Sequence, residues 1–225
     1  MSEHFTPATF RFLRDLADNN ERTWFQGEAE RYERDVLDPA LRFISDFGPS
    51  LRGISGAFDA IPKRVGGSLF RIHRDVRFSE DKRPYKTQVG IHFRHRRARD
   101  AHAPGFYLHL EPRGSFFGAG LWRPDSGTLK AIRSTMMDDP EGWQDSRDSV
   151  PEGYPLGGES LKTAPRGISA DHPLIEDLRR KDFVVMRPLT EKQVTAGDFL
   201  EHYRDHCRAA APLVEWLCRA IDVPF

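Results

Sequence analysis

The densest concentration of chemically capable side chains is the run Phe70-Arg71-Ile72-His73-Arg74-Asp75-Val76-Arg77-Phe78-Ser79-Glu80-Asp81-Lys82-Arg83-Pro84-Tyr85-Lys86-Thr87. Arg71, Arg74 and Arg77 recur at every third position. A strand alternates faces every second residue, so the three cannot share one face of a regular strand. The spacing predicts a chain that leaves a strand near Ile72 and wraps into a loop where guanidinium groups converge. A guanidinium offers a planar donor fork that matches phosphate or carboxylate. Lys82 and Lys86 add point charges, and Tyr85 adds a ring and a hydroxyl. The expected chemistry is therefore binding of an anionic (phosphorylated or carboxylated) small molecule by Arg71, Arg74, Arg77, Lys82, Tyr85 and Lys86, with Asp75 and Asp81 interleaved.

Two other readings use the same residues. Asp75 and Asp81 could turn the arginines into an internal network that only pins a long loop, in a structural or protein-interaction domain. Against full neutralisation stands the count from Lys63 to Arg99, 12 Lys/Arg to 3 Asp/Glu, in a chain whose totals balance at 34 each. The third reading is a nucleic-acid interaction module on a basic face from Arg71 to Arg99. Arg94-His95-Arg96-Arg97-Ala98-Arg99 follows an expected strand, and Phe93, Phe106 and Tyr107 lie near enough in sequence to stack on bases. The overall pI of about 7.1 is low for a dedicated nucleic-acid protein, so the small anion is favoured.

The central run resembles the motif FRIxRDxRFSxDKxPYKT of the family known as domain of unknown function 2461. Further segments resemble that family: Asn19-Asn20 with Trp24-Phe25, Pro104-Gly105-Phe106-Tyr107, Gly118-Ala119-Gly120-Leu121-Trp122, Leu161 to Gly167, and Asp171-His172-Pro173. The resemblance spans nearly the whole chain and implies one domain, residues 1–225. It brings no activity and therefore no catalytic residue. It makes the matching charged positions the best site candidates, with Lys162 and Arg166 as contributors from a later loop.

Other motifs carry less. His73-Arg74-Asp75 spells a kinase triplet, but Glu80 stands where the metal-binding Asn belongs and no glycine-rich loop precedes it. Gly118-Ala119-Gly120 lacks the third glycine of a dinucleotide fingerprint. His92 and His95 fall on opposite faces of a strand among Arg94, Arg96 and Arg97, so no metal is expected. No cofactor is expected either. His73, His92 and His109 are acid–base candidates with Asp75 or Glu111, although a solvent-facing sheet surface is the default for them. His202 and His206 are read as one polar helix face. Cys207 and Cys218, the only cysteines, are read as buried free thiols.

The elements that must position these groups follow from periodicity. Thr6-Pro7 opens a helix carrying Phe10, Leu13 and Leu16. A second helical pattern runs from about Thr23 to Leu51, broken or kinked at Asp38-Pro39 and ended early at Gly48-Pro49. Ser68 to Ile72 and Gln88 to Phe93 are expected strands. Phe106 to Glu111 alternates, turns at Pro112-Arg113-Gly114 and returns as Ser115 to Trp122, a hairpin. Asp125 caps a helix, Pro140 to Ile168 is expected to be irregular, and Asp171 caps a short helix. Phe183 to Met186 is a strand, and a last helix spans Asp198 to Ile221 with a kink at Pro212. Helices at both ends and strands in the middle predict an α+β fold, with terminal helices packed on a mainly antiparallel central sheet. No apolar run reaches membrane-spanning length, and with no secretory signal at Met1-Ser2-Glu3-His4-Phe5 the expected location is the cytoplasm.

Overall fold

The computed structural model describes residues 4–97 and 104–225. Arg99, the end of the basic run, lies outside them. The chain begins with helix α1 (Pro7–Asp18). The Thr6 hydroxyl accepts from the Ala8 amide, Thr9 bonds back to the Thr6 amide, and Pro7 occupies the first turn, where its missing N–H costs nothing. The second helical stretch is broken into α2 (Arg22–Gly27), α3 (Ala29–Tyr32), a π-helical turn (Glu33–Leu37) and α4 (Asp38–Ile54). Pro39 sits in the first turn of α4, as its chemistry prefers. Gly48-Pro49 does not end that helix, which runs five residues further because Phe43, Ile44, Phe47 and Leu51 are buried along one stripe.

Strands β1 (Val89–Arg94), β2 (Gly105–Leu110) and β3 (Phe116–Leu121) form an antiparallel meander. Next come α5 (Ser126–Asp138), α6 (Pro140–Asp148), the short β4 (Leu156–Gly157), α7 (Ile175–Leu178), β5 (Phe183–Pro188), α8 (Glu191–Val194) and α9 (Phe199–Ala220). The described strands form one antiparallel sheet in the order β1-β2-β3-β5-β4, so the fold is α+β. The expected strand at Ser68 to Ile72 is reduced to a single bridge, Leu69 to Ile91, along the free edge of β1. Residues 140–168, read as irregular, contain α6. Asp139 caps it through the Gly142 amide, and Trp143 is buried, its indole N–H donating to Asp177 at 2.9 Å. Asp171 is not the cap of α7, whose N-terminal flank is Leu174.

The helices cover one face of this sheet. α9 lies across β3, and α4 packs on α9 and β1. Ile91, Phe93, Phe106, Leu108, Phe117 and Leu121 point into this layer and are buried. The other face carries Gly90, His92, Tyr107, His109, Phe116 and Gly118 and, among the described residues, borders an open cavity rather than the α4–α9 layer. Among the described residues no helix is long and apolar enough to cross a membrane.

One side chain clamps the base of the basic loop to this frame through two hydrogen bonds. Buried Asn20, at the end of α1, donates from its amide nitrogen to the Tyr85 carbonyl at 3.0 Å and accepts from the Tyr85 amide at 3.0 Å. Asn20→Ala strands two buried backbone groups and should cost about 2–4 kcal/mol. The check is the urea midpoint at unchanged slope, with Asn20→Asp, which keeps only the acceptor, falling between the two.

Candidate functional site

The segment from Arg71 to Lys86 is a ribbon with an irregular tip. Arg74 N–H donates to Pro84, Lys86 N–H donates to Ile72, and His73 bridges Tyr85. The Tyr85 ring is buried and stacks on Phe25 at 4.1 Å, so it is a packing residue of this stem rather than an open stacking surface. At the tip the aspartates take up arginines. Arg77 makes a bidentate pair with Asp75 (2.9 and 2.7 Å), and Arg74 and Arg83 both hold Asp81 (2.7 and 2.8 Å). Hydrogen bonds from Arg83, then from Arg74, hold the Asp81 carboxyl well below its usual range, and Arg77 lowers Asp75. Lys82 donates to the Val76 carbonyl.

Besides Lys82, which rests on that carbonyl, two cations at the base of the ribbon stand outside this pairing. Among the described residues no carboxylate lies within salt-bridge distance of Arg71 or Lys86. The Lys86 ammonium lies 5.4 Å from the Phe70 ring centre. Burial, and then the neighbouring charge of Arg71, lower its pKa. Lys162 and Arg166 do not join them. Their loop runs beside β4, where Ser160 bridges Arg180 and the Lys162 carbonyl accepts from Arg179, at the opposite edge of the sheet from the basic ribbon. Within the Arg94–Arg99 run, Arg96 pairs with Asp59 at 2.7 Å, and Phe93 and Phe106 face the core, which leaves Tyr107 as the ring available on the open face.

Phe70 connects the ribbon to a feature the sequence reading did not single out. The uncovered sheet face holds a cavity of about 350 Å³, walled by Phe70, Tyr107, Phe116, Trp122 and Met186. Its floor is clear because glycines fall side by side across the strands. A Cβ on Gly90 would stand 2.8 Å from the Tyr107 hydroxyl and 2.9 Å from Phe70. Gly120, with φ of +120°, lies so close to the Phe183 carbonyl that no side chain fits.

The polar groups of the groove come from alternate positions of β1 and β2. The Tyr107 hydroxyl lies 3.1 Å from His109 Nδ1, and His109 Nε2 lies 3.3 Å from Glu111. A carboxylate only accepts, so Nε2 carries the hydrogen and Nδ1 accepts from the phenol. His109 is held face to face on Phe116 at 4.8 Å. Burial lowers its pKa against the opposing pull of Glu111, and burial pushes the Tyr107 phenol up to about 12. His92 is 8% exposed, and among the described residues no protein group hydrogen-bonds its ring. Burial, with Arg94 nearby, lowers its pKa to about 4. The alternation of β2 marks Tyr107, His109 and Glu111 as a set in the sequence. Of the glycine floor, Gly118 and Gly120 are visible together in the sequence on β3, while Gly105 comes beside Gly120 only through register. Among the described residues no group of three or more His, Cys, Asp or Glu side chains is placed to hold a metal ion.

A family model described as "Conserved hypothetical protein (DUF2461)" matches residues 8–216. No curated protein and no solved structure matches the chain.

The folded pKa of His92 lies below its unfolded value of 6.5, so the unfolded chain binds the extra proton between these limits. Stability should therefore fall as pH drops from 6.5 toward 4, by up to about 3 kcal/mol from this group. Urea midpoints across that window should decline less steeply in His92→Gln, and equal slopes would contradict the assignment.

Proposed function

We propose that this chain, which belongs to the DUF2461 family, binds a small planar molecule bearing a carboxylate or phosphate in the groove beside Phe70. One observation carries the reading: Lys86, half-buried over the Phe70 ring and beside Arg71, has no carboxylate partner at the edge of an apolar cavity. Holding two like charges together is unfavourable, and an anionic group would relieve it. The ring of the ligand lies between Tyr107, Phe116 and Trp122. The cavity volume is at the lower end of the range for small-molecule sites. Arg74, Arg77 and Lys82, first grouped with the anion-binding set, serve the loop, and so do Asp75 and Asp81. The structural alternative thus accounts for the tip of the ribbon and leaves its base to the ligand. A cytoplasmic setting accords with Cys207 and Cys218, both free and buried.

A second reading has its own support. Tyr107 and Phe116 on an uncovered antiparallel sheet, with Lys86 over the neighbouring Phe70 ring and Arg94 at the end of β1, resemble a stacking platform for single-stranded nucleic acid. Its signature is oligonucleotide affinity that falls steeply with salt, and absence of binding at about 50 mM salt ends it.

The small-anion reading is tested with 1-naphthoate, 1-naphthyl phosphate and the neutral 1-naphthalenemethanol, by calorimetry and by shifts of the Tyr107 and His109 ring resonances. The two anions should bind more tightly than the alcohol. Arg71→Ala or Lys86→Ala should weaken the anions by about 10-fold or more each and leave the alcohol unchanged. Gly118→Val, whose Cβ makes only ordinary contacts, should fill the floor and reduce all three. Equal affinity for anion and alcohol would defeat the reading.

A further inference from the structure

We propose that Tyr107, His109 and Glu111 form a proton relay that makes the groove a catalytic site: Tyr107 Oη takes a proton from an O–H or N–H of the bound planar anion while its own proton passes to His109. The inference rests on the groove being a ligand site, and it adds an activity to it.

The geometry comes from the strand. Tyr107 and His109 on the open face of β2 and Glu111 just past its end follow one another and are joined in sequence by contacts of 3.1 and 3.3 Å. Glu111 fixes the hydrogen on Nε2, so the phenol must donate to Nδ1. The phenolic lone pairs, rather than its hydrogen, are left for the ligand, and Tyr107 meets the ligand as an acceptor with a base behind it. The imidazole cannot swing away, because it stacks on Phe116 with an interplanar angle of 15°. The far end of the relay is tied down by the Glu111 amide, which donates to the Ser115 hydroxyl at 3.0 Å. A polar ladder that merely solvated a sheet surface would not need a cavity walled by apolar rings in front of its first member.

The step balances without any further reagent. The ligand X–H bond breaks and its electron pair stays on X. A new O–H bond forms at Tyr107 as the old one breaks, and an N–H bond forms at Nδ1. The resulting imidazolium faces the Glu111 carboxylate. His92, whose ring lies 6.3 Å from that of Tyr107 and has no partner of its own among the described residues, is positioned to bond the anion produced. Substrates of this class are planar carboxylates or phosphates with an ionisable hydroxyl or N–H, and the reactions are those begun by its deprotonation. Tyr107 is the catalytic residue; His109 and Glu111 act through it as positioning residues.

An electrophile reads the activation of Tyr107 directly. With an aryl sulfonyl fluoride, the phenolic oxygen bonds sulfur, fluoride leaves, and the phenolic proton goes to His109. We would treat the full chain with 4-(fluorosulfonyl)benzoate and with neutral benzenesulfonyl fluoride, and locate the label by mass spectrometry among its 5 tyrosines. Tyr107 should be modified fastest by both reagents. His109→Ala should slow its labelling by about 100-fold or more, and added imidazole, entering the vacated place on Phe116, should restore part of the rate. Glu111→Gln should slow labelling less, and Tyr107→Phe should abolish the label at this position. Preferential labelling of another tyrosine, an unchanged rate in a folded His109→Ala, or no rescue by imidazole would overturn the relay. Arg71→Ala should slow the carboxylated reagent alone. If it does not, the anion reading fails while the relay stands.

Discussion

The two-residue period of β2 is the constraint on which the arrangement depends. Its pairing with β1 and β3 sends Phe106, Leu108 and Leu110 into the layer beneath α9 and α4, where all are fully buried. Burying each such side chain is worth about 1.5–3 kcal/mol, and a slip of one residue would forfeit all three. The same register commits Tyr107 and His109 to the opposite face, with Glu111 following just past the strand's end. Their spacing is thus set by what the core requires, and the polar contacts between them need not hold the strand in place. A site built in this way is rigid before any ligand arrives, which suits a relay whose members must stay within hydrogen-bonding reach.

The basic excess between Lys63 and Arg99 is divided by location. At the exposed tip of the ribbon, Asp75 and Asp81 are matched with Arg74, Arg77 and Arg83. Exposed pairs of this kind add little stability, and their effect is to shape the tip. At the base, fixed by the Asn20–Tyr85 clamp and the Phe25–Tyr85 stack, Lys86 is half-buried and unmatched. An unmatched charge in a partly desolvated position is an expense the fold carries without return unless something anionic docks there. The ribbon is therefore ion-paired at its tip and unmatched at its base, a division that charge counts alone do not reveal.

Much of the fold was legible in the sequence where a local signal and the tertiary demand agree. The Thr6-Pro7 cap, the Asp125 cap and the hairpin around Pro112-Arg113-Gly114 are of this kind. Where they disagree, packing prevailed. Pro49 lies within a helix because the apolar stripe of α4 continues past it, whereas the last helix was expected to run through Pro212 and does. α6 was hidden by its glycine- and proline-rich surroundings, although Asp139-Pro140 is itself an N-terminal signal. The site was half legible. The basic loop was marked by its composition, and His109 and Glu111 stood among several acid–base candidates whose default reading was a solvent-facing sheet surface. The cavity was only partly marked: Gly118 and Gly120 stand together on β3 as a visible small-residue group, whereas the placing of Gly105 beside Gly120 and of Gly90 against Phe70 depends on register. Lys162 and Arg166 show the converse error: residues of the right type were assigned to a site that the strand order puts at the other edge of the sheet.

Phe70 makes the two halves of the site one. Its ring lies under the Lys86 ammonium, 6.1 Å from the Tyr107 ring and 6.2 Å from His92. It reaches this position because Gly90 lacks a side chain that would meet it. The cation pair at the base of the ribbon and the phenol of the relay therefore border the same aromatic wall from different sides. A ligand touching both must carry its charge and its exchangeable proton on opposite parts of a flat body. An extended, flexible anion would satisfy Arg71 and Lys86 from solvent and have no reason to enter the groove. On the proposed reading, apolar walls, a cationic edge and a base with its lone pair turned inward would select together for a compact ring bearing both groups, a narrower class than any of the three features selects alone.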